Sequence, residues 1–106
     1  MRPVKDNVKL VLPEDFDDAW LADITAREYF PEAIVSDVSG NRYRLFFITS
    51  LRLSQELKIT IEKGIQNWFS EPGLVVVDEI DLNTIRRAIN GLWEEGYFNS
   101  LLPIKQ

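Results

Sequence analysis

The chain has 106 residues, and its 17 acidic side chains outnumber its 12 basic ones, giving a formal net charge of −5. It contains neither histidine nor cysteine. This composition excludes thiol nucleophiles, disulfides, thiolate zinc sites and every histidine-based catalytic or metal arrangement. The acidic balance also argues against general nucleic-acid or anionic-membrane binding, because neutralising phosphates requires clustered cations.

The length and composition predict one globular domain over residues 1–106. Hydrophobic residues make up 45% of the chain and charged residues 27%, which is typical of a domain with its own core. The Met1–Asp6 segment has no apolar stretch of the kind found in a signal peptide, and no apolar run is long enough to span a membrane. We therefore expect a cytoplasmic protein without a bound cofactor.

The first half of the chain shows strand, helix and hairpin patterns in turn. Alternating apolar residues predict a strand over Asn7–Leu12, and helical spacing predicts a helix over Glu14–Glu28. The segments Ala33–Val38 and Arg42–Ile48 flank Ser39-Gly40-Asn41, a turn sequence that predicts a β-hairpin. Four carboxylates are predicted in the first helical turn, where the helix dipole favours them: Glu14, Asp15, Asp17 and Asp18.

The second half predicts a helix, a strand and a second helix. Ser50–Gly64 also alternates like a strand near its end, but its length favours a helix capped by Ser50 and ended by Gly64. The apolar run Leu74–Val77 predicts a strand buried on both faces. An apolar stripe over Leu82–Glu95 predicts a helix that is capped by Asp81 and ended by Gly96.

The predicted order of elements is β-α-β-β-α-β-α. This order is that of an α+β, ferredoxin-like split βαβ sandwich with an extra C-terminal helix. Such a fold hosts many unrelated functions, so it does not by itself indicate one. The order of the strands within the sheet is left open.

Arginines 42, 44 and 52 form a basic stretch, with no acidic residue between Asp37 and Glu56. Alternation places Arg42 and Arg44 on the strand face opposite Tyr43. An RNA-binding sheet, a small anionic ligand, an acidic protein surface and pairing with the acidic helix start are all compatible with this stretch. Pairing is favoured, because the chain as a whole is acidic.

Two adjacent aromatic residues, Trp68 and Phe69, precede the turn sequence Pro72-Gly73. Two large neighbouring side chains in a loop do not both point inward easily. They therefore predict either an exposed interaction hot spot or a lid over one end of the core.

Two carboxylates, Asp78 and Glu79, follow the strand Leu74–Val77. Carboxylates at a strand end can act as an acid–base pair or bind a cation. Their position just before the helix that begins at Leu82 favours a role in capping that helix. The other acidic cluster, around Asp15, does not have the spacing of an EF-hand calcium site.

These patterns predict a non-enzymatic protein-binding or regulatory domain that acts through a protein partner or self-association. We expect no catalytic residue, metal, cofactor, nucleic acid or membrane contact. The alternative is a carboxylate-based metal-dependent enzyme using Asp78, Glu79 and the acidic helix start. The candidate binding residues are Trp68, Phe69, Arg42, Arg44 and Arg52.

Overall fold

A four-stranded sheet organises the molecule, and its strands lie side by side in the order of the sequence. The computed structural model describes residues 8–104. Asn7, where the first predicted strand begins, and the Met1–Asp6 segment lie outside the described residues. The strands are β1 (Val8–Val11), β2 (Tyr29–Asp37), β3 (Arg42–Thr49) and β4 (Leu74–Val77). Strand β2 is antiparallel to both β1 and β3, and β4 runs parallel to β3.

Three helices and a terminal 3₁₀ turn complete the structure. They are α1 (Asp18–Arg27), α2 (Ser50–Glu62), α3 (Leu82–Glu94) and the turn Tyr97–Ser100. The α+β class and the order of elements are confirmed. Within the sheet, no described strand separates β3 from β4, so the β3–α2–β4 unit is a direct parallel crossover. Among residues 8–104, no helix is long and apolar enough to cross a membrane.

The main core lies on one face of the sheet, against α1 and α3. Strand alternation sends Val35, Tyr43, Leu45 and Phe47 to this face, where all four are buried. Helix α3 contributes its apolar stripe to the same cluster, and Phe98 of the terminal turn packs edge-on against Tyr43 with ring centroids 5.1 Å apart. Burial, reinforced by Asp37, raises the pKa of Tyr43 above its ordinary value.

Helix α1 begins later than predicted, at Asp18. The carboxylate of Asp17 accepts a hydrogen bond from the Trp20 amide at 2.8 Å and caps the helix. Glu14 and Asp15 lie in a turn before the helix. The placement of four carboxylates in the first turn is therefore wrong, because Asp17 caps the helix and only Asp18 lies in its first turn.

Strand β2 begins at Tyr29, four residues before the predicted start at Ala33. Helix α1 ends at Arg27. The next residue, Glu28, has a φ of 61°, and this left-handed conformation turns the chain directly into the strand. The strand tolerates Pro31, which cannot donate a ladder hydrogen bond, because its register with β3 shifts between Phe30 and Ala33.

Two local predictions in the second half of the chain are also corrected. Thr49, and not Ser50, caps α2: its hydroxyl accepts a hydrogen bond from the Arg52 amide at 3.2 Å. Strand β4 is not buried on both faces, because it lies at the edge of the sheet and leaves Val76 49% exposed. The cap of α3 is as predicted, with the Asp81 carboxylate accepting from the Thr84 amide at 2.8 Å.

Candidate functional site

The second face of the sheet, opposite the main core, carries most of the predicted binding residues. The alternation of β3 places Arg42, Arg44, Phe46 and Ile48 there, as the sequence indicated. Helix α2 follows β3 directly, and the loop 63–73 returns the chain to β4. The second face is therefore bordered by a helix and a loop that come from one continuous segment of the chain.

Three aromatic rings form a row across this face. Tyr29 stacks on Phe46, with ring centroids 5.8 Å apart and planes inclined by 30°. Phe46 meets Phe69 of the loop edge-on at 6.3 Å. The aromatic row (Tyr29, Phe46 and Phe69) thus joins the start of β2, the middle of β3 and the loop after α2. Ring pairs of this geometry stabilise their arrangement by about 0.5–1.5 kcal/mol each.

Arg52 closes one end of the aromatic row. Its guanidinium lies 4.3 Å from the Tyr29 ring centroid, donates to Glu56 at 2.8 Å and donates to the backbone oxygen of Arg27 at 2.8 Å. These contacts tie the end of α1 to the first turns of α2. The prediction that Arg52 pairs with the acidic start of α1 is therefore wrong. Arg52 pairs with Glu56 instead, one turn along its own helix.

A cavity of about 210 Å³ opens between the aromatic row and α2. Ile48 lines it together with the aromatic row, and Arg52, Glu56 and Glu71 supply its polar groups. Its volume lies below the range of about 300–1,000 Å³ that is typical of small-molecule sites. A space of this size matches a single amino-acid side chain.

The two loop aromatics point in different directions. Trp68 is 60% exposed, whereas Phe69 is half-buried against Phe46. The side-chain amide of Gln66 donates to the Trp68 backbone oxygen at 2.8 Å and supports the loop from within. Phe69 therefore attaches the loop to the sheet, and Trp68 presents its indole to solvent.

Gly73 fixes the other end of this loop by a close approach to β3. Its carbonyl accepts from the Phe46 amide at 2.9 Å, and its φ is +74°. A β-carbon at this position would lie 2.6 Å from the Arg44 backbone oxygen. Only glycine permits this close approach. From the sequence alone, Pro72-Gly73 indicated a turn but not the contact with β3.

Helix α2 contributes an exposed apolar surface that the sequence reasoning missed. None of the side chains of α2 is buried. Together with the loop it exposes five large apolar side chains, which we call the α2 surface: Leu51, Ile59, Ile61, Ile65 and Trp68. The signal was present in the sequence, because the apolar residues of Ser50–Gly64 do not fall on one helical stripe. Ile59 and Ile61, two positions apart, lie on different sides of the helix.

The three predicted arginines are not brought together. Arg42 and Arg44 follow one another on the second face, while Arg52 lies over Tyr29, whose backbone pairs with Ile48 toward the opposite end of β3. Arg44 is exposed and Arg42 is half-buried. In the described part of the chain neither forms an ion pair.

The candidate carboxylates Asp78 and Glu79 lie in the loop between β4 and α3. Asp78 and Glu79 are exposed in the loop after β4, and Asp81 caps α3. Hydrogen bonding from the Thr84 amide lowers the pKa of Asp81 below its ordinary value. Residues 8–104 contain no group of three or more carboxylates placed to hold a metal ion.

Comparisons with protein-family models, curated proteins and solved structures find no match to this chain. The geometry of the second face is therefore the basis on which a function is assigned.

Proposed function

We propose that this protein is a non-enzymatic protein-binding domain that engages its partner, or a second copy of itself, through the α2 surface. One observation carries the proposal. No side chain of the 13-residue helix α2 is fully buried, and with the adjoining loop the helix exposes five large apolar side chains to solvent. Large apolar side chains that the chain's own fold leaves exposed are candidates for burial against a partner.

Burial of these side chains against a partner supplies the driving force. Each Å² of apolar surface removed from water contributes about 25 cal/mol. Lys58, Glu62 and Lys63 are exposed on the same segment and would form the polar rim that surrounds the apolar centre of typical interfaces.

Trp68, together with the cavity that its neighbour Phe69 lines, would supply the centre of the interface. Tryptophan is enriched among the few residues that carry most of the binding energy of an interface. The cavity of about 210 Å³ would accept one side chain of the partner. The contact of Phe69 with Phe46 holds the loop that carries Trp68 against the sheet.

The first experiment is native mass spectrometry of the purified chain, followed by capture of bound proteins from a lysate of the organism that makes it. The test variants are Trp68→Ala and Ile61→Ser, which alter exposed side chains of the α2 surface. Val38→Ser is the matched control, since Val38 is exposed at the hairpin turn and outside the α2 surface. Circular dichroism would establish that all three variants are folded.

We expect either a homo-oligomer or one reproducible bound protein. Both test variants should weaken that association at least about tenfold, a loss of about 1.4 kcal/mol or more. The control should match the wild type. An association that survives both test variants, or a chain that associates with nothing, would contradict the proposal.

A further inference from the structure

A larger cavity, of about 480 Å³, lies beside β2 where its pairing with β1 stops. That pairing extends only as far as Val11 and Ile34. The register shift between Phe30 and Ala33 leaves the two intervening residues of β2 outside the regular ladder with β3. The cavity occupies the space that this early end of β1 leaves next to α1.

The wall of this cavity is mainly apolar and partly aromatic. Trp20 and Ile24 of α1 line it together with Phe30 and Ile34 of β2. Trp20 meets Phe30 edge-on with ring centroids 5.4 Å apart. The volume falls within the range of about 300–1,000 Å³ that is typical of small-molecule sites.

Arg42 contributes a positive charge to the wall of this cavity, whose lining holds two arginines and two carboxylates in all. It lines the cavity, is half-buried and forms no ion pair with any residue of the described range 8–104. The second arginine of the lining, Arg27, is already paired with Asp23 at 3.2 Å. Glu32 also lines the cavity but is exposed, so water screens its charge more strongly than that of Arg42.

We propose that this cavity binds a small carboxylic acid with an aromatic or aliphatic body. The apolar body would lie against Trp20 and Ile34, the partly exposed apolar side chains of the lining. The carboxylate would accept two hydrogen bonds from the Arg42 guanidinium, whose planar fork matches a carboxylate. This site is separate from the α2 surface and does not depend on the proposed protein-binding function.

The test uses NMR titration of the isotope-labelled full chain with phenylacetate, indole-3-acetate and octanoate. We expect saturable shifts of the Trp20 indole N–H and of the amides between Phe30 and Ile34 with at least one of these acids. The matching neutral amide, such as phenylacetamide for phenylacetate, should bind at least about tenfold more weakly, because it lacks the charge-assisted hydrogen bonds.

Two variants isolate the role of the arginine. Arg42→Gln should weaken acid binding about tenfold. Arg44→Gln, which removes the same charge two residues along the same face of β3, should change it by less than about twofold. Arg42→Lys should retain part of the affinity, because it keeps the charge and loses only the fork.

Several results would overturn the inference. They are a neutral amide that binds as tightly as its acid, equal effects of Arg42→Gln and Arg44→Gln, or no saturable binding of any of the three acids at millimolar concentration. If Arg42→Gln does not fold, the acid-against-amide comparison on the unmodified protein decides the question. Failure of this test leaves the association measured through the α2 surface unaffected, so the two proposals fail separately.

Discussion

Helices α2 and α3 have the same length of 13 residues, and each starts at a side-chain cap, yet they have opposite relations to the core. Helix α3 buries Ile85 and Ile89 completely, whereas α2 buries nothing completely. The comparison shows that capping and helical spacing predict a helix but do not determine how deeply it is buried. That depends on whether the apolar side chains form one stripe and on what lies opposite them.

The two helices differ in how their apolar residues are distributed. Those of α3 concentrate on the side that faces the sheet, and its outward positions are polar. In α2, Leu53 and Leu57 are half-buried, while Leu51, Ile59 and Ile61 remain exposed. The exposed apolar side chains of α2 are the physical basis of the proposed interaction surface.

The largest expected effect is the contrast between Ile85→Ala and Ile61→Ala. Truncation of the buried Ile85 should lower the free energy of unfolding by about 2–5 kcal/mol, because it leaves a cavity in the core. Truncation of the exposed Ile61 should change that free energy by no more than about 0.5 kcal/mol. Urea unfolding of the two variants measures both values. Equal losses would show that α2 is as well packed as α3 and would remove the contrast.

The attachment of the α2 segment to the sheet is tested by Gly73→Ala. The added methyl group meets the backbone of Arg44, which cannot rotate away. Gly40→Ala is the matched control, because Gly40 has a φ of +89° but a β-carbon added there would have nothing within 4 Å of it. Thermal or urea unfolding should show that Gly73→Ala costs about 1–3 kcal/mol more than the control. Similar losses for both variants would mean that the close approach adds nothing beyond the positive φ.

Substitution of the capping residues of α2 and α3 should lower the free energy of unfolding moderately. The two substitutions should differ in how far the loss is confined to the capped helix. Thr49→Ala should cost about 1 kcal/mol, and Asp81→Ala should also lower the free energy of unfolding. Native-state hydrogen exchange should show faster exchange concentrated in α2 for Thr49→Ala, because little tertiary packing holds that helix. Ser50→Ala, which removes the hydroxyl next to the true cap, serves as the control. An α2 that exchanges as slowly as α3 in every variant would contradict the comparison.

The smallest effect concerns pH. Since the folded-state pKa of Asp81 is lowered, the ionised cap stabilises the protein above about pH 4, the ordinary range for aspartate. That contribution is lost as the pH falls through the lowered pKa. Asp81→Asn keeps a neutral cap, so its stability relative to the wild type should improve in acid. Unfolding curves of both proteins between neutral and acid pH measure this difference, and a difference that does not change with pH would contradict the assignment.

The sequence predicted the helices and strands better than their surroundings. Asp81, Gly96 and the apolar stripe of α3 are local signals, and they placed that helix correctly. The start of β2 was missed because Pro31 is a signal against a regular strand, and only the register shift against β3 accommodates it. Trp68 and Phe69 were identified together, but their opposite directions follow from the contact of Phe69 with Phe46, which is 23 residues away in sequence.

The amino-acid sequence was sufficient to predict the α+β fold class, the order of the helices and strands, and the absence of histidine and cysteine chemistry. These properties depend on composition, on periodicity and on caps formed between residues a few positions apart. Only the tertiary structure decided that β4 is an edge strand, that α2 remains largely uncovered and that Arg42 lines an apolar cavity beside Trp20. The edge position of β4 and the cavity follow from which strands pair and where their pairing stops, and these contacts join residues far apart in the chain.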